Sequence, residues 1–434
     1  MGNDETTKAY NDHNVYILGA GFAAEAGLPL IRDFMNQMRD AAAWLEEQDG
    51  RERERQAIDR VLKFRLSAAG AAYRVPLNVE NVEELFSLAS ASGGKQLTED
   101  MTLAIAATLD YARNTAPLLA EHQYFGLRMF NVADWKKPPN WRPLPEFVTR
   151  QGQGDVYGCP PYEFYLGVMC GYFNKGGRDR RDTIITFNYD TVVEDSLDGL
   201  GVPFSYGAGN FIGRTTREGL RRAQPARDST LVLKLHGSVN WCAPDLALTK
   251  LSDMELDVVS NLDRMAAAYE SYSSLRERGH TPILVAPTWQ KALSGPLSVV
   301  WDEAVAALQT ATRVIILGYS IPTTDQHFRY LLAAGLQQNI SLRKVFFVNP
   351  ALAKQEERTQ LEEKLFGLFR REHFDQGIIE LVPTDVREFL AGPRNMNEIS
   401  WRVRIGRPLN APGNAWGTDP WTFDSPLLSG LSVA

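Results

Sequence analysis

Three short apolar runs in this chain each end abruptly in residues suited to chemistry rather than to packing. Asn14-Val15-Tyr16-Ile17-Leu18 runs into Gly19-Ala20-Gly21-Phe22. Thr183-Ile184-Ile185 runs into Thr186-Phe187-Asn188-Tyr189-Asp190, and Leu231-Val232-Leu233 into Lys234-Leu235-His236-Gly237-Ser238. Strand ends in an open α/β sheet are where ligands bind. The residues that fix the fold therefore also nominate the site.

Further strands are expected at Pro282–Ala286, Val314–Leu317 and Val345–Val348, with Ile378–Val382 at the sheet edge. Helical spacing marks 255–278, 298–311 and 325–338 between them. Strands alternating with helices predict an α/β fold, a Rossmann-like, largely parallel sheet with helices on both faces. Residues 14–39 read as strand, glycine turn and helix, half of a βαβ unit. From about 40 to 70 Ala, Leu, Glu and Arg recur at helical spacing, and Asn78–Ser90 and Gln96–Thr115 continue that pattern with Asn81 and Thr98 as N-caps. A Pro/Trp-rich stretch over 135–147 breaks that pattern. The expected division is a catalytic domain from 11–40 and 180–390, a helical insertion at 41–179, and an extended arm at 391–434 that is rich in Gly, Pro, Asn and Trp.

Composition excludes several classes. A formal net charge of -7 argues against nucleic acid as a direct partner, because backbone binding needs concentrated Lys and Arg. Three cysteines, Cys159, Cys170 and Cys242, make neither a disulfide framework nor a four-cysteine zinc site, and a reducing cytoplasm is the expected location. No apolar signal region opens the sequence, and no apolar run approaches the roughly 20 residues that span a bilayer, so no membrane partner is expected.

Gly19-Ala20-Gly21 after a strand lets backbone approach a pyrophosphate, and the next helix would turn unpaired N–H groups and a positive dipole end toward it. The same turn also serves purely structural ends. No acidic residue follows a second strand about 20 positions on, so the dehydrogenase fingerprint is incomplete. Asn188 and Asp190 are two apart and share one face of an extended segment, with Phe187 and Tyr189 on the other. Asn and Asp equally end strands in ordinary turns. His236 stands at a third strand mouth, where Gly237 gives a ligand room; imidazole, with a pKa of about 6.5, suits general-base work. An isolated histidine so placed would be a hydrogen-bonded core residue. Ser238 contacts ligand or begins a turn, and Asp325 reads as a helix N-cap.

Gly27-Leu28-Pro29, Gly318-Tyr319-Ser320-Ile321-Pro322 with Asp325, and Val348-Asn349-Pro350 complete a series that resembles the sirtuins in composition and order. The chain is similar to the sirtuin-like NAD-cleaving proteins of bacterial antiphage defence. The resemblance implies that Gly19, Ala20 and Gly21 hold the NAD phosphates, with Phe22, Pro29 and Arg32 also among the cofactor contacts. Asn188 and Asp190 would face the nicotinamide ribose, and His236 would be the general base. Gly318 and Ser320 fall where the family contacts the cofactor ribose and phosphate, and Asn349 where it contacts the adenosine side. A homo-oligomer, coupled to an activator such as a ring-forming HerA-type ATPase, is the expected assembly.

Two departures set the expected subtype. Protein-deacetylating sirtuins carry two cysteine pairs for a zinc ion shortly after the His-Gly, whereas Cys242 stands alone here. Leu30 follows Pro29 where deacetylases have Asp, which leaves Arg32 as the nearest polar residue. The expected chemistry is hydrolysis of NAD, with water as acceptor and no metal. Deacylation, a silent nucleotide-binding scaffold and, more distantly, a dehydrogenase are the rival readings.

Overall fold

The apolar runs become the strands of one sheet. In the computed structural model these are β1 (His13–Leu18), β2 (Arg181–Thr186), β3 (Phe204–Ser205), β4 (Thr230–Lys234), β5 (Arg313–Leu317), β6 (Lys344–Val348) and β7 (Ile379–Val382). The structure describes residues 13–92, 94–117, 125–129, 142–143, 155–170, 181–200, 202, 204–207, 211–214, 221–222, 230–242, 256–259, 282–284, 297–321 and 326–391. The seven strands lie in the order β7-β6-β5-β1-β2-β4-β3, and every pairing is parallel. Every residue of β1 and β5 is buried. Alternate side chains point to opposite faces, so both faces of the sheet centre are covered, as the sequence predicts for a Rossmann-like sheet.

Helices supply that cover: α1 (Ile31–Glu46), α2 (Glu52–Ala72), α3 (Val82–Ser92), α4 (Gly94–Asn114), α5 (Pro161–Met169), α6 (Val192–Gly199), α7 (Ser298–Thr310), α8 (Gln326–Leu336), α9 (Gln355–Phe366), α10 (Arg371–Asp375) and α11 (Val386–Ala391). In α1 the buried residues Phe34, Met35, Met38, Ala41 and Leu45 recur at three- and four-residue spacing, which places one face of the helix in the core. Burying each such large apolar side chain contributes about 1.5–3 kcal/mol. Among the described residues, no helix is long and apolar enough to cross a membrane.

Register sets the site. Leu18 pairs with Leu317 and with Thr186, Thr186 with Lys234, and Leu317 with Val348. Five adjacent strands therefore end in one row, and the next residues, Gly19, Phe187, Leu235, Gly318 and Asn349, turn into loops together. At about 4.8 Å per strand the row is about 19 Å wide. Chain order reverses between β1 and β5, with β2, β4 and β3 on one side and β6 and β7 on the other, so that pair is the topological switch point.

Several expectations are corrected. Pro282–Leu284 forms a strand, yet it pairs antiparallel with Gly237–Cys242 outside the main sheet; proline lacks an N–H and suits an edge. Residues 256–259, expected to be helical, pair parallel with Phe211–Arg214, because Leu-Asp-Val-Val favours a strand; nothing more is described within 255–278. Asn81 does cap α3, its Oδ1 accepting from Glu83 N at 2.9 Å. Thr98 lies inside α4 and its hydroxyl donates back to Gly94 O. After α4 the chain carries a small antiparallel sheet of Phe125–Met129, Arg142–Pro143 and Asp155–Cys159. Pro322, Asp325 and the arm at 392–434 lie outside the described residues.

Candidate active site

A cavity of about 930 Å³ opens over the row of strand ends. The expected catalytic and cofactor-contacting residues line it: Gly19, Ala20, Gly21, Phe22, Pro29 and Arg32 from the β1 side, Asn188 and Asp190 after β2, His236 after β4, Gly318 and Ser320 after β5, and Asn349 after β6. Ser238 is not among the lining residues: it is buried, and its hydroxyl donates to Asn240 Oδ1. Helices α3 and α4 complete the wall with Val82, Phe86, Ile105 and Leu109, a contribution their sequences do not announce. The volume lies within the roughly 300–1,000 Å³ of small-molecule sites.

The glycine turn works differently from its sequence reading. Gly19 N donates to Leu317 O, Gly21 N to Gly318 O and Phe22 N to Gly19 O, so these three N–H groups are spent within the protein. Gly318 takes φ +62, and a Cβ there would sit 2.4 Å from Phe22 N. A Cβ on Gly19 or Gly21 would meet the Gly318 carbonyl oxygen at 2.7 or 2.8 Å. The glycines thus lock two strand-end loops backbone to backbone across the switch point. The turn is followed by two short 3-10 turns rather than by an α-helix, and α1 begins only at Ile31. Helix α1 adds Ile31, Phe34 and Arg32 to the cavity wall, the last an exposed cation 3.2 Å from Asp33. Tyr162 of α5 fastens the turn: its hydroxyl donates to Phe22 O at 2.8 Å and accepts from Ala26 N at 3.0 Å. Burial pushes that phenol well above its ordinary range, so it remains a donor. Nothing local in the sequence marks a tyrosine some 140 residues from the turn it holds.

β2 ends at Thr186, and Asn188–Asp190 is a loop rather than an extended segment. The alternation expected there is lost, and Phe187 and Tyr189 line the cavity with Asn188 and Asp190. Asn188 Nδ2 donates to Gly19 O at 3.0 Å, which ties this loop to the glycine turn and leaves Oδ1 as the group to offer a ligand. Asp190 is 7% exposed, and one of its oxygens accepts from Val192 N at 3.0 Å, bracing the start of α6. Burial raises its carboxyl above the ordinary value, and the Lys234 ammonium opposes that rise.

His236 is 4% exposed. Its ring meets Phe187 edge-on at 5.1 Å and Tyr189 at 5.9 Å. The residue before it is clamped from both sides, Leu235 N donating to Thr186 O and Leu235 O accepting from Trp301 Nε1 at 3.1 Å. Gly237 has φ +80, and its missing Cβ makes way for the backbone of the neighbouring strand rather than for a ligand, since a Cβ would lie 2.0 Å from Ile283 O.

Ser320 is exposed at the cavity edge, with its carbonyl 3.4 Å from Lys364 Nζ. Asn349 is largely committed: Oδ1 accepts from Ala351 N at 3.0 Å and Nδ2 donates to Tyr319 O at 3.2 Å. Arg32, Lys354 and Lys364 place cations on the cavity lining.

The fold and site together define an open α/β protein with its ligand cavity at the topological switch point. Residues 182–368 match the family model described as a SIR2-like domain. No curated protein matches the chain. Among solved structures, a mutant Sir2 homologue in complex with 2'-O-acetyl-ADP-ribose aligns at 12% identity and a TM-score of 0.33, over 95% of this chain and 100% of that one. Sir2 in complex with the inhibitor EX-527, 2'-O-acetyl-ADP-ribose and a deacetylated p53 peptide aligns at 12% identity and 0.31, over 87% and 90%.

Proposed function

We propose that the chain is an NAD glycohydrolase that cleaves NAD to nicotinamide and ADP-ribose. The observation that carries this reading is the convergence of the glycine turn, the Asn188–Asp190 loop and His236 on one cavity along five level strand ends. The SIR2-like match over 182–368 supports NAD as the ligand. A row about 19 Å wide suits an extended dinucleotide, with its phosphates toward Arg32 and Lys364 and its nicotinamide end toward Asn188, Asp190 and His236.

In the proposed reaction the nicotinamide leaves with the electron pair of its bond to ribose C1, which neutralises the pyridinium. Water forms the new C–O bond and gives up a proton to the His236 imidazole. Asn188 Oδ1 orients the water or a ribose hydroxyl, and the Asp190 carboxylate offsets positive charge developing on the ribose. Hydrolysis is favoured over deacylation by the cysteines: the sequence has three, fewer than the four of a Cys₄ zinc module, and Cys159 and Cys170 are buried in the core. Chromatography of reactions with and without an acetylated peptide tests the choice. We expect an unchanged nicotinamide yield and no acetyl-ADP-ribose; peptide-dependent release with acetyl-ADP-ribose would establish the deacylase instead.

The same reading makes the protein the NAD-depleting effector of a bacterial antiphage defence system, acting in the cytoplasm. Among the described residues, the strands of the main sheet come from 13–18 and 181–382, which supports 11–40 with 180–390 as the catalytic unit, 41–179 as an insertion and 391–434 as an arm. Trp401, Trp416 and Trp421 of the arm are large apolar surfaces suited to docking on a second copy or on a HerA-type ATPase. Light scattering of the full chain is expected to give a homo-oligomer; a fully active monomer would end that part of the proposal.

A further inference from the structure

The Asn188–Asp190 loop is held from behind by a buried ion pair that the proposed chemistry does not use. Lys234, the last residue of β4, is 0% exposed; Glu194, in the first turn of α6, is 2% exposed, and their charged atoms lie 2.9 Å apart. Lys234 Nζ also donates to the main-chain carbonyl of Asp190. Around Glu194 the network continues inward. The Tyr206 hydroxyl donates to Glu194 Oε1 at 3.1 Å and accepts from Asn240 Nδ2 at 3.2 Å, and the Ser238 hydroxyl donates to Asn240 Oδ1. From the same strand as Ser238, Val239 N donates to Tyr189 O at 2.9 Å.

Two successive carbonyls of the loop, Tyr189 O and Asp190 O, are therefore fixed by groups that do not line the cavity. A buried ion pair is weak evidence for stability: each ion loses several kcal/mol of hydration, and apolar residues of similar volume often serve as well. Because stability alone rarely calls for such a pair, a lysine delivering its ammonium to one loop carbonyl calls for another explanation.

We infer that Lys234 and Glu194, backed by Tyr206 and Asn240, form a positioning unit. By holding the Asp190 carbonyl it sets the loop so that the Asn188 and Asp190 side chains face the cavity. Lys234 is a positioning residue: it acts through the loop. This inference rests on the proposed NAD chemistry for its kinetic consequence, but its structural content does not depend on that chemistry.

The test is the double variant Lys234→Met/Glu194→Leu in the full-length protein, which removes both charges and strands neither. Its melting temperature is expected to stay at or above that of the wild type. Its kcat for NAD cleavage is expected to fall about 10- to 100-fold while KM changes less than about threefold, because the substrate still binds and the loop no longer holds its polar groups in reacting geometry. Tyr206→Phe, which breaks only the inner link of the network, should give a smaller fall of the same kind. Hydrogen exchange supplies a readout independent of activity: amides of residues 187–192 should exchange at least tenfold faster in the double variant, with those of α9 unchanged. A stable double variant with wild-type protection of that loop overturns the inference, whether or not the protein cleaves NAD. So does faster loop exchange accompanied by wild-type kcat. Failure of the wild type to cleave NAD would instead strike the function, and the exchange result alone would decide the inference.

Discussion

Replacing His236 with glutamine is expected to lower kcat for the proposed NAD cleavage by about 10²–10⁴-fold, the range that a positioned general base supplies, while the protein stays folded. Glutamine is the informative substitution because His236 is buried between the rings of Phe187 and Tyr189. Alanine would leave a void there, costing about 2 kcal/mol or more and confounding chemistry with stability. Glutamine keeps most of the volume and a hydrogen-bonding end but cannot accept a proton near neutral pH. KM is expected to move less than kcat, since the role proposed for the ring is proton transfer. A glutamine variant with at least a tenth of the wild-type kcat would remove His236 from proton transfer.

The second large effect falls on stability and binding together. Gly318→Ala places a Cβ 2.4 Å from Phe22 N, in a backbone region at φ +62 that alanine disfavours. Neither partner can yield cheaply, because both are main chain and both loops are fastened, by Gly21 N to Gly318 O on one side and by Tyr162 to Phe22 O on the other. A destabilisation of about 3 kcal/mol or more is expected, with KM for NAD raised about tenfold or more as the glycine turn shifts. Gly377→Ala is the control: its φ is +69 but nothing lies within 4 Å of the added Cβ, so only the conformational cost of about 1 kcal/mol applies. Equal losses for the two variants in a denaturant titration would show that the interlock of the two loops carries no special energy.

The strands were legible because each is a run of apolar, often β-branched residues, and the mouths were legible because Gly, Asn and His break those runs at once. What was hidden is what arrives from elsewhere in the chain. Tyr162 reaches the glycine turn through tertiary packing alone, and the wall from α3 and α4 carries only an ordinary helical pattern. The glycines misled in a specific way. Their absent Cβ atoms make room for other backbone, at Gly318 and Ile283, whereas the sequence alone suggests room for a ligand. The sequence suggests that Asn188 and Asp190 continue the strand, but β2 stops two residues before Asn188, and hydrogen bonds to Gly19 O in the glycine turn and from Val192 N of α6 fix their side chains. Lys234 did leave a signal: a lone charge inside Leu231-Val232-Leu233-Lys234-Leu235 has no solvent-facing side in a covered sheet and must find a buried partner.

The central claim is tested most directly by incubating purified full-length protein with NAD, beside the His236→Gln variant, and resolving the products by chromatography. The account predicts nicotinamide and ADP-ribose in equal amounts from the wild type and intact NAD from the variant. Intact NAD from both proteins, or equal cleavage by both, would contradict it.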